Sequence, residues 1–204
     1  SALRGKDAAT GVDNPAKREG QFTLMREAQT AVLNLANWHH FLDALKLAGY
    51  RGQKMVSSEA AIIFSYVLYL IGIRDYGIDR TRMRQAIAEF YFMASMTGRY
   101  TSSPETRFEA DLGQVRDLAS GEVFVAKLRE ICDTTLTNDY WEITLPSQLA
   151  TSAARSPTLF AYQASLIMLD APALFSPLKL AAMVDPAIKG SNASLEQHHL
   201  FPRA

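Results

Sequence analysis

From Phe22 to Leu169 the apolar residues recur at helical spacing, and no stretch before His198 alternates as a strand does. Such a chain buries its apolar side chains along helix faces, so its helices must pack on one another. Leu24, Ala28, Ala31, Leu35 and Trp38 follow the period. Phe41, Leu42, Leu45 and Ala48 continue it as far as Gly49. Ser57 or Ser58 caps the next helix, with Glu59 in its first turn, and that helix runs to about Gly72. Asp79 caps a third, in which Met83, Ile87, Phe90, Tyr91 and Ala94 share a face and which Gly98 stops.

Ser103-Pro104-Glu105 is a start signal: a capping side chain, proline at the first helical position, then an acid. Phe108, Leu112 and Val115 face inward on the helix that follows. Gly121 opens another, carrying Phe124, Leu128 and Ile131 on one side. Residues 137–150 are less regular. Ser156-Pro157 repeats the start signal and leads into Leu159, Tyr162, Leu166, Ile167 and Leu169, after which Pro172, Pro177 and Pro186 divide the chain into short pieces. The expected architecture is an all-α bundle of about seven helices over residues 21–190, after a disordered lead-in at residues 1–20. No repeat of fixed period is present.

Charge and composition narrow the functional classes. The 21 basic and 21 acidic residues balance to a net charge of zero. A protein that grips long nucleic acid by charge alone is more basic, so any DNA contact must be a local patch. The single cysteine, Cys132, excludes an internal disulfide and suits a reducing cytoplasm. Its expected role is a small buried helix residue. The longest uncharged stretch, Ala60 to Ile73, is too short for a membrane span and reads as a central buried helix. No apolar signal segment stands at the N-terminus, so the expected setting is cytoplasmic, with no membrane partner.

Several residue groups carry possible chemistry. Arg74, Arg80, Arg82 and Arg84 form a basic cluster, with Arg80 and Arg84 one turn apart on a common face. It reads as a solvated surface or as a DNA-facing patch. Gly98-Arg99-Tyr100-Thr101, with Ser103, Glu105 and Asp111 after it, is either a helix stop in which Arg99 pairs with an acid, or a polar loop meeting DNA phosphate or a partner. His39 and His40 lack a carboxylate at zinc-helix spacing and read as structural. Trp38, Tyr140 and Trp141 read as core anchors rather than base-stacking platforms. His198 and His199, preceded by Glu196 and followed by Leu200-Phe201-Pro202, are the strongest group. Imidazole is a good ligand for a divalent metal and a good base near neutral pH, and neighbours on extended chain point apart, which suits two separate jobs.

The segment LEQHHLFPRA resembles the opening of the HNH, or ββα-metal, motif in the C-terminal domain of GmrSD-type restriction endonucleases. The stretches VSSEAAIIFSYVLYLIG, RQAIAEFYFMASMTGRYTSSPETRFEADL, ICDTTLTNDYWEITLP and ARSPTLFAYQASLIMLDAPALFS resemble the helical region before it, so the likeness covers roughly residues 22–204. It implies a DNA endonuclease of modification-dependent restriction or phage defence. In that family the position of His198 binds a divalent metal, magnesium or manganese, and the position of His199 is the general base. Glu196 would orient them. Residues 191–204 would open the nuclease motif. The family's partners are DNA and an N-terminal nucleotide-hydrolysing domain related to ParB-like nucleases.

The downstream Asn and His of a complete motif are absent from the 204 residues, as is any Gly-rich phosphate loop. The expectation is therefore a fragment inactive by itself. Arg99, Tyr100, Ser103, Arg80 and Arg84 are the candidates for contact with DNA or a partner. The alternative is a non-catalytic helical module that binds protein or DNA. An all-α ligand-binding domain is a third possibility, and it would need a polar-lined pocket between helices.

Overall fold

The computed structural model describes residues 15–150, 156–174 and 177–184. Among them nine α-helices form and no strand does. The all-α expectation therefore holds, with more and shorter helices than the seven expected. The HNH opening expected at residues 191–204 lies outside the described residues. No helix among them is long and apolar enough to cross a membrane.

Two compact units divide the chain, residues 1–41 and residues 42–204. The first holds α1 (Pro15–Val32) and the start of α2 (Leu35–Leu47). Apolar spacing alone suggests one helix from Phe22 to Gly49, but the chain breaks at Leu33-Asn34. Asn34 causes the break, because its side-chain oxygen accepts from the backbone N–H groups of Ala36 (2.9 Å) and Asn37 (3.3 Å) and so caps a new helix. Helical period is also not burial here: Leu24 is 65% exposed and Leu35 72%. α1 starts at Pro15, inside the stretch expected as a lead-in.

In the second unit, α3 (Glu59–Arg74) and α4 (Arg80–Met96) form the centre. α3 is the uncharged stretch expected as a buried helix, and Leu68 and Tyr69 on it are fully enclosed. α4 packs against α3, against α6 (Gly121–Thr135) and against α8 (Pro157–Met168). All five residues expected on its inner face are buried, and Met83, Ile87, Phe90 and Tyr91 are sealed completely. Each such side chain contributes roughly 1.5–3 kcal/mol of transfer free energy. α5 (Pro104–Val115) lies against α6 and buries Phe108 and Val115. On α8 the buried face is Phe160, Ala161, Ala164 and Ile167, whereas Tyr162 and Leu169 stay exposed.

Most start signals act as expected. Ser58 accepts from Ala61, Asp79 from Thr81 and Arg82, and Ser156 from Leu159. Ser103 is the exception. It precedes α5 with φ of 49° and makes no side-chain cap bond; its backbone carbonyl accepts from Arg107 instead. The irregular residues 137–150 form a wide π turn (Tyr140–Thr144) and a five-residue helix, α7 (Leu145–Leu149). Pro146 supplies the reason. It has no N–H to give Glu142 and its ring crowds that carbonyl, so Leu145 bonds one residue further back, to Tyr140. Beyond α8, Pro172 and Lys179 pair in an isolated antiparallel bridge ahead of α9 (Leu180–Met183).

Candidate functional site

The sequence candidates with the clearest chemistry, His198, His199 and Glu196, lie outside the described residues. Among the described residues no three His, Cys, Asp or Glu side chains gather to hold a metal. His39 and His40 sit on α2, the first exposed and the second half-buried. Two described regions remain: the loop after α4 and the arginine face at its start.

The loop is built by a reversal. Gly98, with φ of 61°, ends α4, and Arg99 N–H bonds back to the Ala94 carbonyl at 2.9 Å. This turns Arg99 and Tyr100 inward toward α5 and α6. Arg99 donates through Nε to Asp111 Oδ2 (2.8 Å) and through Nη2 to Asp111 Oδ1 (2.6 Å), a two-pronged pair. Its Nη1 reaches Thr135 Oγ1 on α6 at 3.1 Å, and that hydroxyl donates to the Ile131 carbonyl. Tyr100 adds a third donor to the carboxylate, at 2.6 Å from Oδ2. Its ring stands edge-on to Phe64, which stacks on Phe108 at 4.0 Å.

This node is closed. Asp111 is 1% exposed and Arg99 10%. Burial alone would lower the pKa of Arg99, but the bonds and charge of Asp111 outweigh it and raise the value. Burial, then the bond to Asp111, pushes the Tyr100 phenol well above its ordinary range. Of the three acids that follow the loop in sequence, the structure selects Asp111 and leaves Glu105 and Glu109 exposed. The fork of Arg99 that could meet a phosphate is occupied by this carboxylate. What the loop offers to the surface is Thr101, Ser102 and Ser103. Thr135 joins the node without a sequence signal, since its hydroxyl sits at the end of a helix with no motif around it.

The arginine cluster separates into different environments. Arg74 and Arg80 are exposed, and Arg82 pairs at the surface with Glu122 at 3.2 Å. Arg84 is half-buried, and its Nε is shut off from solvent with no hydrogen-bond partner among the described residues. It lines a cleft of about 560 Å³ together with Lys46, Arg51, Asp43, Ile167 and Met168. Arg51 Nε is in the same buried, unpartnered state. Sequence reading found Arg84 but neither Arg51 nor Lys46, which lie more than thirty residues away along the chain and meet it only through packing.

Two further expectations can be placed. Cys132 is partly buried, and burial followed by the nearby Glu89 and Asp133 pushes its thiol up to about 12. It is a packing residue with no reactive character. Tyr140 is a core anchor, as expected, but Trp141 is 44% exposed and donates its indole N–H to the Leu136 carbonyl at 3.1 Å. No protein-family model, curated protein or solved structure matches the chain.

Proposed function

We propose that the chain is the helical region leading into the HNH centre of a DNA endonuclease of the modification-dependent restriction type. The observation that carries this reading is the His198-His199-Leu200-Phe201-Pro202 run standing behind helical stretches that resemble that family over most of their length. The buried node is compatible with the reading: Arg99, Tyr100, Asp111 and Thr135 all fall inside the resembling stretches, so those stretches carry the residues that lock α4, α5 and α6 together.

In this reading His198 is a metal ligand, His199 takes a proton from the attacking water, and Glu196 orients the pair. Imidazole suits magnesium or manganese less well than oxygen ligands do, so further oxygen or imidazole donors must complete the set. A bound cation supplies charge stabilisation at the scissile phosphate. Surface contacts to DNA then fall to Ser103 and the Arg80 and Arg84 face, and the 204 residues by themselves are inactive. The coding sequence past codon 204 offers the first test: an Asn and then a His within a few tens of residues support the reading. The decisive test is cleavage of plasmid DNA by the protein carrying those residues, with magnesium or manganese. Cleavage lost in His199→Ala supports the nuclease; unchanged cleavage in that variant refutes it.

A second reading, a non-catalytic interaction module, draws on the exposed apolar side chains Trp141, Ile143 and Leu149 around α7. It expects no metal-dependent cleavage.

A further inference from the structure

The cleft between the end of α2, the turn after it, α4 and the end of α8 has an electrostatic character that its surroundings do not explain. Lys46, Arg51 and Arg84 bring three cations to it, and among the described residues Asp43 is the only acid lining it. That acid bonds Lys46 at 3.3 Å, both side chains being well exposed. Neither arginine has an ion pair or hydrogen bond among the described residues, and the Nε atoms of both are buried. A guanidinium N–H closed off from water with no acceptor is unfavourable, so an acceptor for the remaining nitrogens of these groups would offset part of that cost.

The ordinary structural duty of such arginines is to satisfy the last carbonyls of a helix. Here backbone N–H groups fill most of that duty. Leu45 and Lys46 carbonyls accept from the N–H groups of Tyr50 and Gly49, both at 3.0 Å. Ser165, Leu166 and Ile167 carbonyls accept from Leu169, Ala171 and Asp170, at 2.9–3.0 Å. Of the last carbonyls of α2 and α8, only those of Leu47 and Met168 are left without a backbone donor among the described residues, and neither guanidinium group bonds to them. The turn that carries Arg51 is also fixed in place: Gly49 packs so closely on α8 that a Cβ there would lie 2.2 Å from the Ala164 carbonyl oxygen.

We propose that this cleft is a phosphate-binding site, in which the terminal guanidinium nitrogens of Arg51 and Arg84 hold one oxyanion and Lys46 adds charge at the rim. Two guanidinium groups and an ammonium against one acid suit a dianion, and forks of this shape match phosphate oxygens in pairs. The cleft, at about 560 Å³, is larger than a bare phosphate and takes the group on a larger molecule. The inference rests on the cleft alone and stands whether or not the nuclease reading does.

Titration of the 204-residue chain with inorganic phosphate, followed through the arginine Nε–H resonances, tests it. Two of these resonances are expected to shift saturably, and Arg51→Lys or Arg84→Lys, which keep the charge but lose the fork, to weaken binding about tenfold. Arg82→Gln, at the surface pair with Glu122, should leave binding unchanged. A short DNA duplex in the second arm distinguishes the sources of the group. Displacement of phosphate by the duplex assigns it to a nucleic-acid backbone; no displacement assigns it to a small phosphate ester. Absence of any saturable shift in the wild-type chain, or binding that survives both lysine substitutions intact, overturns the site.

Discussion

At the residue scale, the Arg99–Asp111 pair decides more than any other polar contact. Removing one partner of a buried ion pair leaves a charge without compensation. Asp111→Ala is therefore expected to cost about 3–5 kcal/mol of unfolding free energy by urea titration. Arg99→Met combined with Asp111→Leu should recover most of that loss, because the desolvated charge is gone from both sides. A single-variant cost under about 1 kcal/mol would show the node to be incidental. The tyrosines give a pH dependence with a definite sign. Tyr50, Tyr91 and Tyr100 are all raised from the ordinary value of 10.0, each chiefly by burial. The unfolded chain releases these protons first as pH rises. Their contribution to stability is thus complete below pH 10 and is lost progressively above it. Tyrosinate absorbance should lag behind that of the denatured chain and then rise together with loss of helical circular dichroism. Cys132 belongs here too. With a thiol near 12, about one molecule in ten thousand is thiolate at pH 8. Iodoacetamide should leave the native chain unlabelled over hours and label it readily in denaturant.

At the element scale, the same sequence signal has different consequences in different places. Ser156 and Ser103 both precede a proline at the start of a helix, yet only Ser156 caps. Ser156→Ala is expected to lower stability by about 1 kcal/mol and Ser103→Ala by almost nothing, measured by thermal or urea unfolding. Glycines divide in the same way. Gly49 has φ of 84° and α8 against it, so Gly49→Ala meets both backbone strain and a clash, and should cost more than about 2 kcal/mol. Gly113 is inside α5 with nothing within 4 Å of its would-be Cβ. Gly113→Ala should therefore raise stability by about 0.5–1 kcal/mol. If both substitutions prove equally mild, the close packing of the turn at Gly49 on α8 is wrong.

At the scale of the whole molecule, neutrality limits how nucleic acid can be held. In a chain of zero net charge any positive face is balanced by acids elsewhere, so contact with DNA is expected from a local cluster of cations. If Lys46, Arg51 and Arg84 together hold one backbone phosphate, the logarithm of the binding constant should fall with the logarithm of salt concentration at a slope of about −1. A slope near −8 would require a larger basic surface than this cleft provides. The slope is read from duplex binding at several salt concentrations.

Much of the fold was legible because helix period, caps and prolines act locally. Met83, Ile87, Phe90 and Tyr91 announce a buried face, and Asp79 and Ser156 announce its starts, through contacts only three or four residues apart. The break at Asn34 is hidden in the sequence because a capping asparagine inside an apolar period competes with that period, and propensity does not say which wins. The exposure of Leu24 and Leu35 was equally hidden, since spacing fixes which residues share a face but not whether anything covers it. The sequence alone determined an all-α chain, its helix starts and the histidine pair that invites a chemical reading. Tertiary structure decided that Arg99 spends its fork on Asp111, and that Arg51 meets Arg84 across a cleft. Both depend on contacts between residues far apart in the chain, which local spacing does not encode.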